Sequence, residues 1–445
     1  MSDVDIDAVL GRAWHDETSW ELLTRLTELE ERMGGHPGER RAADLVASAF
    51  EESGVERVKL REFEMWRWNR GRAELAVTEP IERSFGTLAL PYSPAGDVHT
   101  ELVDVGYGTP DEIEASDVRG KIAVASTTTP PEKGRFVHRM EKFGHAAAAG
   151  AEAFVFANHV PGQLPPTGAL RFNAEAAMPG VGVSKEAGAW LTEYAERGGR
   201  AKLSVSATTE RDTSQNVVGT LGPETDEEIV LLGHYDAHDI AEGALDNGCG
   251  IATVVGTARI LAGMEPALER RVRVAGVGCE EVGLMGSEAL ADELDLESVA
   301  AVVNVDGAGR FRNLQAYTHG SDRIETLVEE TCDEWDQPVA FSRDPHPYSD
   351  HWPFLHRGVP ALQLHSQAPS GAERGRGWGH THADTRDKVD PRNLREHAML
   401  AALLVRELTR SEFPRIGNET LREQLRETDA EAGMRAAEVW PEGWD

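Results

Sequence analysis

The chain has 445 residues, more than one ordinary hydrophobic core organises, so two domains are expected. Acidic residues outnumber basic ones 77 to 45, and a formal net charge of −32 disfavours nucleic acid or an anionic membrane as partner. Lysine occurs only at 59, 121, 133, 142, 185, 202 and 388, and the acidic excess is spread along the chain, a composition suited to high salt and a halophilic source. The first twenty residues are acidic and lack an apolar h-region, no apolar run is long enough to span a bilayer, and a cytoplasmic protein is expected. Cys249, Cys279 and Cys332 form no disulfide or zinc-finger pattern, and Cys249 and Cys279 read as small buried thiols.

From the N-terminus, apolar positions at helical spacing predict a helix over 18–33. A second follows the His36-Pro37-Gly38 turn and runs to about Ser53. Residues 57–68 alternate as a strand. Between about 87 and 207 the character changes: short strands are expected at 99–105, 121–125, 153–157 and 180–183, punctuated by glycine and proline, with helices over 136–149 and 185–197. Lys142, His145 and His159 lie in this segment without chemical company and read as surface or structural residues.

After Asn216 strands and helices alternate. Strands are expected at 216–220, 229–233, 271–276, 300–305 and 361–364, and helices at 250–261, 287–294, 322–335 and 391–410. That order predicts an α/β fold, three-layer, with a mostly parallel sheet and helices on both faces. The remaining tail is charged and holds one amphipathic helix near 419–427.

Chemistry collects where these strands end. Ile229–Leu232 is a branched, apolar run that stops at Gly233, and His234 and Asp236 follow it. A strand would point both to one face, making His234 a candidate ligand and Asp236 the carboxylate that orients it. Asp246 sits just before a helix that opens in small residues. The strand RVRVAGVG runs into Cys279-Glu280-Glu281, where one glutamate can bind metal while the other stays clear to act as general base. AAVVNVDG places Asp306 at the next strand end. A later loop carries His380, His382 and Asp384. Each motif alone is as well explained by solvated polar residues at a loop. Together they offer five ligands with one shared carboxylate, enough for two metal ions.

The stretches HYD, GALDNGCG, CEEVGLMGS, NVDG, YSDHWPF and HTHADT resemble, in order and spacing, the co-catalytic di-zinc aminopeptidases of metallopeptidase family twenty-eight. VRGKIAVAS, AAAAGAEAFVFAN and MPGVGVSKEAGAWL resemble the β-rich protease-associated domain inserted in several peptidases. The expected division is 1–86 and 211–410 for the peptidase domain, 87–210 for the insertion and 411–445 for an acidic tail. The resemblance implies two Zn2+, with Co2+ or Mn2+ as substitutes. It implies that Asp246 bridges the ions, that His234 and Asp306 complete one site, and that Glu281 and His380 complete the other, with His382 competing for the last place. Glu280 becomes the general base, Asp236 orients His234, and a cis peptide is implied at Asp246–Asn247. Tyr348, His238, Asp239 and His351 either line the pocket or serve loops.

Peptides are the implied substrates, cut near a chain terminus. Free N-terminal amines are the family's usual handle, although some relatives are carboxypeptidases or dipeptidases. A glutaminyl cyclase of the same fold uses one zinc, and an inactive scaffold would show substitutions among the ligands; the full set here argues against both. The insertion is expected either to roof the site or to mediate a homo-oligomer.

Overall fold

The computed structural model describes residues 4–368 and 377–444. It divides into two compact units. One comprises Met1–Glu64, Thr213–Ala372 and Asp384–Leu425, and the other Met65–Asp212, Glu373–Ala383 and Arg426–Asp445.

The chain opens with α1 (Ile6–Ala13), α2 (Thr18–Thr27), α3 (Pro37–Glu52) and the long strand β1 (Glu56–Asn69). The expected helix over 18–33 stops six residues early. Glu31 and Gly35 take left-handed backbone, and Arg32 turns inward to donate to the carbonyls of Glu242 and Gly243 at 3.1 and 3.0 Å. Tertiary hydrogen bonding here overrides helical periodicity.

The second unit carries β2 (Ala73–Glu79), β3 (Arg83–Phe85), β4 (Thr87–Ala89), β5 (Gly96–Asp104), α4 (Pro110–Ala115), β6 (Ile122–Ser126) and α5 (Arg139–Ala148). It continues through β7 (Ala153–Ala157), β8 (Gly180–Val183), α6 (Lys185–Glu196) and β9 (Arg200–Val205). Its sheet runs β3-β2-β9-β5-β6-β7-β8-β4. Because β2 pairs with both β3 and β9, residues 73–85 build this sheet. Leu90, Phe143, Phe154, Phe156 and Met178 form its core. Lys142 is buried there as a structural cation: its Nζ donates to the carbonyls of Ser126 and Thr128 at 2.8 and 2.6 Å.

The strand β10 (Thr208–Leu221) leads back to the first unit, which continues with β11 (Glu228–His234), α7 (Cys249–Gly263), β12 (Arg271–Val277), α8 (Met285–Glu293) and β13 (Val299–Val305). Then come β14 (Leu314–Tyr317), α9 (Asp322–Glu334), β15 (Val339–Ser342), α10 (Trp352–Leu355), β16 (Ala361–Ser366) and α11 (Pro391–Thr409). The sheet order is β1-β10-β12-β11-β13-β16-β14-β15. Its four central strands, β12, β11, β13 and β16, run parallel. Every residue of β11 is buried, as a parallel strand covered on both faces requires. Ile229 and Leu231 join a core with residues of α2, α3, α7 and α11.

The charged tail is more ordered than its composition suggests. Helix α12 (Asn418–Glu427) buries Leu421 and Leu425, and α13 (Glu431–Ala436), which periodicity over so few residues does not reveal, packs on α5 in the second unit. No helix among the described residues is long and apolar enough to cross a membrane. The three cysteines are free and buried.

Candidate metal centre

The carboxyl ends of β11, β12 and β13 lie side by side, so the residues that follow them are brought together by topology alone. His234 is the last residue of β11 and is fully buried. Asp236 lies beyond the strand end, yet its Oδ1 still reaches His234 Nδ1 at 3.2 Å. With the Nδ1 proton directed to Asp236, Nε2 presents its lone pair. That Nε2 atom is buried without a hydrogen-bond partner. It faces Asp246 Oδ1 at 3.4 Å, Glu280 Oε2 at 3.9 Å and Asp306 Oδ1 at 4.0 Å.

Asp236 has a second task that its sequence motif does not announce. Its Oδ1 and Oδ2 accept from the backbone N–H groups of Glu280 and Glu281 at 3.1 and 3.2 Å. One carboxylate therefore fixes both the ring of His234 and the backbone that carries the glutamate pair.

Asp246 is held through its own backbone. The buried Asp384 accepts from the N–H groups of Leu245 and Asp246 at 2.6 and 3.2 Å. The Asp246–Asn247 peptide is cis. The Asn247 side chain donates to Val305 O at 2.8 Å and accepts from Gly307 N at 3.0 Å, tying this turn to the backbone on either side of Asp306. Gly250 is required beneath it, since a Cβ there would stand 2.0 Å from Asn247 Oδ1. Asp306 accepts from Ser349 Oγ at 2.7 Å, and Ser349 in turn accepts from Asn304 Nδ2 at 2.7 Å.

Glu281 is buried, and His238 Nε2 stands 3.0 Å from its Oε2. The sequence left His238 undecided between pocket and loop; it belongs to this cluster. His380 lies in the second unit, buried and on left-handed backbone, with Nδ1 3.2 Å from the carbonyl of Thr167. His382 is exposed. Tyr348 packs edge-on against His346, and His351 stacks on His319 with ring centroids 4.2 Å apart.

The carboxyls of Asp236, Asp246, Glu280, Glu281, Asp306, Asp350 and Asp384 are buried or half-buried in the first unit. Burial pushes Glu280 well above the usual carboxylate range, against the pull of His234. Burial likewise raises Asp350 and Asp384, each to about 7. Burial lowers the Arg32 guanidinium to about 10, although Asp384, Asp236 and Glu281 all favour its charge. Burial also opposes the charged form of His234, but Glu280, Asp236 and Asp246 outweigh it and raise its pKa well above the ordinary value. Such a concentration of buried carboxyl groups around an imidazole is the donor set of a hard or borderline divalent cation. The residues present fit such an ion.

Comparison with known proteins bears on the same residues. The model of peptidase family M28 matches residues 216–405, and that of the PA domain matches 86–191. Aminopeptidase YwaD of Bacillus subtilis (strain 168) is 27% identical over 413 residues, covering 88% of this chain and 85% of its own. Mouse carboxypeptidase Q is 24% identical, covering 89% of this chain and 86% of its own. The crystal structure of a zinc aminopeptidase from Bacillus subtilis superimposes with a TM-score of 0.69 at 26% identity, over 88% of this chain and 94% of that one. Strand-end motifs and family match coincide on one stretch: residues 216–405 are similar to peptidase family M28, and residues 86–191 to a PA domain.

Proposed function

We propose that the protein is an aminopeptidase that releases N-terminal residues from peptides at a co-catalytic pair of zinc ions. The observation that carries this reading is His234, whose Nδ1 is committed to Asp236 while Nε2 faces Asp246, Glu280 and Asp306 from three different chain segments. Asp246 would be the carboxylate shared by the ions, His234 and Asp306 would help hold one, and Glu281 and His380 the other. Support for His380 over His382 comes from burial and from the Thr167 carbonyl at Nδ1, which leaves Nε2 as the donor. Ions bound there would supply polarisation of a scissile carbonyl and a lowered pKa for an attacking water. Glu280 takes the proton of that water as it adds to the carbonyl carbon, then passes it to the amine nitrogen as the C–N bond breaks. The raised affinity of Glu280 for a proton suits a group that must hold one between these steps.

The test is metal content measured together with hydrolysis of amino-acid p-nitroanilides and N-blocked peptides in molar salt, before and after chelation. About two zinc ions per chain, with chelator-sensitive release from free N-termini only, is the expected result. Activity confined to blocked peptides or C-terminal residues would move the reading to a carboxypeptidase, which the similarity to carboxypeptidase Q keeps as the second reading. One ion or none, without hydrolysis, would sink both.

A further inference from the structure

The base assigned above follows a left-handed residue, Cys279, at the end of β12. A chain leaving a strand through such a turn has three successive amide N–H groups with no ladder to join. Two of them, on Glu280 and Glu281, donate to Asp236. The third, on Cys279, donates to Glu39 Oε1 at 3.0 Å. Glu39 is remote in sequence and belongs to the first turn of α3. It is fully buried. We propose that Glu39 is a positioning residue for the reaction: it clamps the backbone of Cys279 so that the carboxylate of Glu280 meets the attacking water at the right place.

A glutamate in the first turn of a helix commonly serves the helix itself, by reaching back to N–H groups ahead of the first turn. That role accounts for Oε2, which accepts from Gly35 N at 2.6 Å and from Ser214 Oγ at 2.8 Å. It does not account for Oε1, which spans to another element and receives both the N–H and, at 3.4 Å, the thiol of Cys279. The local packing is closed around this contact. A Cβ on Gly278 would stand 2.6 Å from Glu39 Oε1, and one on Gly34 would stand 2.7 Å from Cys279 Sγ. Burying a carboxyl is costly, and burial with the nearby Asp236 raises Glu39 to about 8. A helix cap alone could be made by an exposed side chain without that cost. The buried position is what allows one group to hold the helix start and the turn before Glu280 at once. Misplacing a reacting group by about 1 Å costs on the order of 100-fold in rate, so a clamp one residue away from the base has leverage over turnover while touching neither substrate nor metal.

This inference rests on Glu280 as base, and its test separates the two. Glu39→Ala removes the clamp; Glu39→Gln keeps the volume but can accept from only one of Gly35 and Cys279. Ser214→Ala removes a partner of Oε2 and of the Cys279 thiol but leaves the bond from the Cys279 N–H to Glu39 Oε1 in place. For each variant, kcat and KM on an amino-acid p-nitroanilide and zinc per chain are measured, and deuterium uptake is followed by mass spectrometry after chelation. The expected result is a kcat lowered about 10–100-fold in Glu39→Ala and less in Glu39→Gln, with KM and zinc content unchanged. Faster exchange should be confined to the peptides containing Gly35 and Cys279–Glu281, whose amides Glu39 and its neighbouring turn hold. Ser214→Ala should lower the melting temperature and leave kcat intact. Unchanged kcat in both Glu39 variants, exchange that rises across the whole sheet, or failure of both to fold would each overturn the proposal. Retained turnover in Glu280→Gln would instead remove the base, while localised exchange at 279–281 would still report the clamp.

Discussion

Replacing Glu280 by Gln keeps the volume and the backbone bond to Asp236 but removes the proposed proton acceptor. Turnover should fall by at least about 100-fold, the usual worth of a positioned general base, while zinc content measured by mass spectrometry stays at the wild-type level. Retained activity would mean that another group takes the proton. His238 makes the opposite prediction. Its Nε2, 3.0 Å from Glu281 Oε2, is placed to fix that carboxylate or to share the ion proposed there, and in both cases it acts on binding rather than on proton transfer. His238→Ala should therefore weaken retention of one metal ion by about 10–100-fold, the typical effect of losing an outer partner of a ligand. Titration with a competing chelator reads this directly. Equal affinity in variant and wild type would return His238 to a loop role.

Strand ends are where the sequence was most informative, because an apolar run that stops at a charged residue marks both an element and the mouth of the sheet. The ends of β11, β12 and β13 deliver His234, the Glu280–Glu281 pair and Asp306 in that way. What periodicity could not reach was contact between distant segments. Glu39 reads as an ordinary residue of a helix start, and its bond to Cys279 spans 240 positions. The strands β14 and β15 hold four residues each, too few to establish alternation, and β2 gains its identity from pairing with β9 far along the chain. Helix α13 was hidden for the same reason, and its docking gives a test at this scale. Gly144 in α5 would place a Cβ 2.0 Å from the carbonyl oxygen of Ala436. Helix propensity alone predicts that Gly144→Ala stabilises α5 by ~1 kcal/mol. Overpacking against backbone costs about 1–3 kcal/mol and should win. The variant should melt lower and release the C-terminal segment to limited proteolysis; a stabilised variant would show that α13 is not held by that contact.

Across the whole molecule, the charge of −32 and the buried acids respond differently to solvent. Self-repulsion among surface carboxylates is screened in molar salt, where the Debye length is about 3 Å, so pH dependence measured there isolates the buried groups. Two buried sets oppose one another. His319 and His397 are held neutral by burial, at about 3 and about 4. In His397 the neutral ring is also matched to its surroundings: Nδ1 accepts from Gly309 N at 2.8 Å, so a proton there breaks a hydrogen bond. The unfolded chain binds protons at these sites near pH 6.5, so their contribution to stability is present above that value and is lost as pH falls towards the folded values. Asp350 and Asp384, raised to about 7, have the reverse sign. Their contribution is complete below the unfolded pKa of about 4 and is lost as pH rises through about 7, at roughly 1.4 kcal/mol per unit for each group. Bound cations favour the ionised acids and so remove the second penalty without touching the first. Metal binding also weakens as protons compete for its ligands. Melting temperatures of zinc-loaded and chelated protein should consequently converge at pH ~4 and separate up to about 7, the range over which the chelated form loses stability. The histidine contribution is common to both forms and cancels in the difference. A gap that stays constant with pH would mean that the acids around His234 are already ionised without a cation, and the charge argument for the metal centre would fail at its base.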